Sequence, residues 1–79
     1  MAWLYKVSGE VEKLSDTKLE TLQYAVGGWV EHIKLIDGRD GWVNEDGRRL
    51  GLEFNAEATL LAGQNIVGYM VVTEPGEVE

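Results

Sequence analysis

Residues 17–36, "TKLETLQYAVGGWVEHIKLI", change period halfway along, and the change decides how the rest of the chain is read. Leu19, Leu22, Ala25 and Val26 recur at helical spacing and form one apolar stripe. Thr17 and Glu20 stand three residues apart, as in a capping box, where each side chain satisfies a backbone N–H left free by the first turn. Gly27-Gly28 ends the helix, because glycine takes the left-handed cap conformation without steric cost. From Trp29 to Ile36 the period becomes two. Trp29, Glu31, Ile33 and Leu35 share one side, while Val30, His32, Lys34 and Ile36 share the other. Glu31 therefore places a carboxylate on the apolar side of a strand.

Working outward, Trp3, Tyr5 and Val7 share a parity and predict a first strand. Ser8-Gly9 marks a turn, and "EVEKL" predicts a second strand. Beyond Ile36, the dipeptides Asp37-Gly38 and Asp40-Gly41 read as turns, with an extended piece beginning at Trp42-Val43. "NEDG" turns again, and "RRLGLEF" reads as a strand broken by Gly51. Asn55 is an N-cap for a short helix through "AEATLLAG", closed by Gly63. "NIVGYMVVTE" is the last strand, with Gly68 at a bulge or a close backbone approach. The order β-β-α-β-β-β-α-β predicts a single α+β domain over residues 1–74, with a mainly antiparallel sheet, one main helix and one short helix. Residues 75–79 read as a flexible tail. The expected core draws on Leu19, Leu22, Val26, Trp29 and Ile33.

With 79 residues and no cysteine, the chain has room for one small core and no disulfide framework or thiolate site. Fourteen acidic residues against seven basic ones give a net charge of −7. That balance argues against direct binding of nucleic acid or anionic membranes, both of which depend on cationic side chains. No leader or membrane span is apparent, which predicts a cytoplasmic protein.

Catalytic patterns are scarce. His32 is the single histidine, so a histidine-based metal site has no second ligand of its kind, and no cofactor or metal is expected. Ser8 and Ser15 lie in turn-like surroundings without a nucleophile elbow. "DGRDG" and "NEDGRR" lack the ligand spacing of a calcium loop, and "GRRLG" lacks the Gly-Lys-Ser/Thr ending of a P-loop. What remains is Glu31, Asn44 and Asn55, polar residues embedded in the apolar pattern. One reading has them satisfying backbone groups at corners and helix ends. Under it, Glu31 is a clasp that accepts hydrogen bonds near the Gly-Gly corner or the Asn44 turn. The other has them converging on a small ligand, with Arg48 or Arg49 meeting an anion.

"LQYAVGGWVEHIKL", "VNEDGRRLGLEFNAEAT" and "NIVGYMVV" together resemble the small prokaryotic family called domain of unknown function 3846. The likeness rests on Leu22-Gln23, Val26-Gly27-Gly28 and Glu31. It continues through Asn44-Glu45, Gly47, Gly51-Leu52 and Asn55, then Ile66 and Gly68, and spans roughly residues 18–72. The chain departs from the pattern at "LEFN", where relatives tend to have a proline-containing stretch before the asparagine. The resemblance implies an origin on a phage, plasmid or other mobile element and assigns no activity.

Two functions follow as expectations. The first is a non-enzymatic, acidic accessory protein of a phage or mobile element that binds a basic host protein, with an anti-defence role among its settings. A DNA mimic is the extreme form, although the carboxylates are scattered and make no ladder. The second is a small-molecule or nucleotide binding and sequestering protein using Glu31, Asn44, Asn55, Arg48 and Arg49. A homodimer is compatible with either.

Overall fold

The computed structural model describes residues 1–79. Its strands are β1 (Trp3–Tyr5), β2 (Val11–Lys13), β3 (Val30–Lys34), β4 (Asp40–Asn44) and β5 (Met70–Thr73). Helix α1 (Leu19–Val26) follows β2, while α2 (Gly47–Leu50) and α3 (Ala56–Ala62) lie between β4 and β5. The five strands form one antiparallel sheet in the order β2-β1-β5-β4-β3. The fold class is α+β, as the alternation of periods implies.

Parity sorts the core onto two faces of this sheet. Leu4, Val71 and Trp42 sit opposite one another across β1, β5 and β4. Helix α1 covers them with Leu22 and Val26. On the other face Val43, Met70 and Val72 meet Ala58 and Ala62 of α3, with Leu35 and Ile66 closing the cluster. Burying both faces lets a short chain keep two aliphatic clusters out of water.

Helix α1 ends as expected, with Gly27 left-handed at φ 81° and its N–H donating to Gln23 O and Tyr24 O. Its start differs from the capping box. Lys18 occupies the N-cap without a side-chain cap. Asp16 Oδ1 instead accepts from Lys18 N (3.0 Å) and Thr21 Oγ1 (2.6 Å). A carboxylate two residues upstream reaches both donors, and Thr17 is left out. Leu19 and Trp29, expected in the core, are exposed. The helix turns its Leu22–Val26 stripe inward, and Trp29 lies in the corner before β3, outside the sheet.

Two further expectations change. "RRLGLEF" is no strand: Gly47–Leu50 form one helical turn closed by left-handed Gly51, and only Phe54 makes a bridge, to Val67. Asp40-Gly41 is no turn either, since both residues lie in β4. Gly41 is needed for packing, because a Cβ there would meet Leu35 Cδ2 at 2.9 Å and Ile33 Cγ1 at 3.0 Å. The stretch after Pro75, expected to fray, lies against the domain. Glu79 N donates to Thr17 O, Glu79 O accepts from Leu19 N, and Val78 packs on the α1 core.

Candidate functional site

The β3–β4 hairpin brings together most of the polar residues singled out by pattern, and it sorts them by face. Val30 pairs with Asn44, Glu31 with Val43, His32 with Trp42 and Lys34 with Asp40. Asp40, Trp42 and Asn44 therefore share the α1 face with His32 and Lys34. Glu31 shares the α3 face with Ile33 and Val43.

On the α1 face each polar group has a partner. Asn44 Nδ2 donates to Val26 O at the end of α1, and its Oδ1 accepts from Asp46 N. Gly28 makes room for that amide, for a Cβ there would meet Asn44 Nδ2 at 3.0 Å. Trp42 Nε1 donates to Thr73 Oγ1 (3.0 Å). Asp40 Oδ1 lies 2.8 Å from His32 Nε2 and 3.1 Å from Lys34 Nζ, and the His32 ring leans on Trp42. The hydrogen bond from His32 holds the Asp40 carboxyl below its ordinary range, with Lys34 adding to it and burial opposing. Sequence reasoning passed over Asp40 because Asp-Gly is a turn signal. Its opposite-charge pairing with Lys34 becomes visible only once the hairpin register is known.

The α3 face is partly open. Helix α3 covers the Ile33–Leu35 end and stops short of Glu31. Glu31 is exposed and stands at a cleft of about 120 Å³. Ile33, Val43, Ile66 and Val67 form the apolar floor, while Glu31, Glu45, Arg48, Gln64 and Asn65 supply its polar groups. Arg48 Nη2 donates to Asn65 O (3.2 Å), which tethers the guanidinium. Gly47 allows the close approach of this segment to Val67, whose Cγ2 would lie 3.1 Å from a Cβ. The clasp expected of Glu31 is absent: its carboxylate accepts no hydrogen bond and forms no ion pair, and Asn44 on the opposite face ties the corner. The parity was sound, but no helix lies over that end of the strand.

The remaining candidates lie elsewhere. Asn55 is buried, accepts from Ala58 N as the α3 cap, and donates to Tyr5 O and Gly68 O. Arg49 is exposed beside Asp46 (3.3 Å). Of the five sequence candidates, Glu31 and Arg48 border the cleft, Asn44 adjoins it with its side chain tied on the α1 face, and Asn55 and Arg49 lie apart.

A second concavity, mostly apolar, lies at the C-terminal end of α1. Val7, Tyr24, Val26, Leu52 and Tyr69 line it with Glu53 at its edge, and its volume is about 350 Å³. Tyr24 is 91% exposed.

An antiparallel sheet with α1 on one face and α3 on the other, a polar cleft over its edge hairpin and an apolar groove beside α1 make a small α+β domain. The family model described as Domain of unknown function (DUF3846) matches residues 3–79, and the chain belongs to that family. The match takes in β1 and the stretch after β5, beyond the span that carries the motif resemblance. No curated protein and no solved structure matches the chain.

Proposed function

We propose that this protein is a non-enzymatic accessory protein of a mobile element that binds a basic segment of a host protein in the apolar groove beside α1. The observation that carries this reading is the groove itself. Tyr24 stands almost wholly in water at its rim, and Tyr69, Leu52 and Val26 offer apolar surface below. Solvent-exposed tyrosine beside an apolar depression is the composition of a protein-binding hot spot, since the ring buries large area with few torsions to freeze.

Charge favours a basic occupant. Glu53 lies at the groove, and β2 brings Glu12 onto Lys6 (2.9 Å), with Glu10 acting on the same ammonium near Tyr69. With a net charge of −7 on the whole chain, these carboxylates favour a cationic segment and speed its encounter.

The test compares proteins retained from host extract by wild type, Tyr24→Ala and Glu53→Gln. The reading expects a basic protein held by wild type and lost with Tyr24→Ala. Its association rate falls from low to physiological salt, and falls further for Glu53→Gln. A set of retained proteins identical for wild type and Tyr24→Ala overturns the groove as the binding surface. A salt-independent association rate overturns the basic occupant.

A further inference from the structure

We propose that the cleft over the β3–β4 hairpin binds the head group of a free amino acid, an ammonium beside a carboxylate, with a basic side chain preferred. The cleft presents both signs of charge at fixed places. Glu31 and Glu45 both stand at the cleft: Glu31 pairs with Val43, and Glu45 follows Val43 by two residues in the turn just past β4, its N–H donating to Trp29 O. Both carboxylates line the same small cleft, so one ammonium can be shared between them. Neither carboxylate is engaged within the protein, and both are exposed at the cleft.

Arg48 supplies the opposite charge. One guanidinium nitrogen is anchored on Asn65 O, which fixes the group while leaving its other N–H donors for a carboxylate. The side-chain amides of Gln64 and Asn65 face the same space, and neither is taken up by another protein group. The volume of about 120 Å³ suits a compact head group. A longer side chain would leave through the open side. Two carboxylates against one guanidinium leave the cleft net negative, which is why a second cationic group on the ligand is favoured. Inorganic phosphate and nucleotides fit badly, because both carboxylates would face their charge.

The experiment titrates the isotope-labelled protein with L-lysine, following backbone amide shifts. Cadaverine, which has the same two ammonium groups and no carboxylate, is the comparison. The expected result is saturable shifts at Glu31, Glu45, Arg48 and Asn65, with lysine binding about tenfold more tightly than cadaverine. Arg48→Gln abolishes that preference, and Glu31→Gln weakens both ligands. Arg48→Lys, which keeps the charge and loses the bidentate fork, lowers the preference without removing it, and stands in if Arg48→Gln does not fold. Equal binding of lysine and cadaverine by wild type overturns the proposal, as does an absence of cleft shifts or a response confined to other residues. The cleft lies apart from the groove, so Tyr24→Ala leaves the lysine titration unchanged and the two readings fail separately.

Discussion

The β3–β4 hairpin carries carboxylates on both faces, and the two faces treat them in opposite ways. Asp40, on the α1 side, is buried with His32 and Lys34 on one of its oxygens. Glu31, one strand away on the α3 side, stands at an open cleft without a partner. The residue that looks like a turn is wired into the structure, and the residue that looks like a structural clasp is free. Helix placement makes this difference. Helix α1 packs on β3 and β4 and its C-terminal end is tied to Asn44, whereas α3 packs at the Ile33 and Leu35 end. A polar side chain under cover must be paired, while one beyond the helix end is available to a ligand.

The largest test removes the cover. Leu22 is fully buried at the centre of the α1 core, and Leu22→Ala should cost about 2–5 kcal/mol. A urea midpoint within experimental error of wild type would mean that α1 does not hold that face.

Asn44→Ala comes next, with an expected loss of about 1–3 kcal/mol, because Val26 O and Asp46 N lose their buried partner. Equilibrium denaturation measures it; a loss of a few tenths would show that water replaces the amide and that the corner needs no tie.

Asp40→Asn should cost roughly 1–2 kcal/mol near neutral pH, and here the pH dependence sharpens the contrast. The folded carboxyl is held low by His32 and Lys34. Its ionised form therefore stabilises the fold above the unfolded carboxylate range of about 4, and that contribution drains away as pH falls through the lower folded value. The gap between wild type and Asp40→Asn should be full near neutrality and close toward acid. A gap independent of pH would show that charge is not what the variant removes.

The smallest effect belongs to Glu31→Gln, expected within about 0.5 kcal/mol of wild type. A loss comparable with that of Asp40→Asn would restore the clasp and erase the difference between the faces.

Much of this architecture was legible in the sequence. The stripe of Leu22, Ala25 and Val26 and the Gly27 cap define α1, while Asn55 and Gly63 bracket α3 as expected. The two asparagines do satisfy backbone groups, which their place in an apolar pattern implied. Other features depend on contacts that local sequence does not encode. Gly41 looks like a turn glycine and is a packing glycine, because Ile33 and Leu35 from across the hairpin and Met70 from distant β5 close over it. Gly51 seemed to interrupt a strand; it caps a single helical turn, and Gly68 gives Leu52 its place. Strand parity fixed the face of Glu31 correctly. Whether that face is covered depends on where α3 ends relative to a strand more than twenty residues before it, and no periodicity carries that information.

The strand order has a consequence in time as well as in space. Strand β5 sits between β1 and β4 and is the last of the five along the chain. The β1–β2 ladder and the β3–β4 hairpin join neighbouring segments, but nothing connects them within the sheet until Met70–Thr73 slot between them. Closing the loops that bring those strands together costs entropy before any central contact repays it, so we expect β5 docking to be the slow, committing event of folding. Until then each half-sheet keeps an unpaired edge, and Met70, Val71 and Val72, fully buried in the finished domain, remain in water.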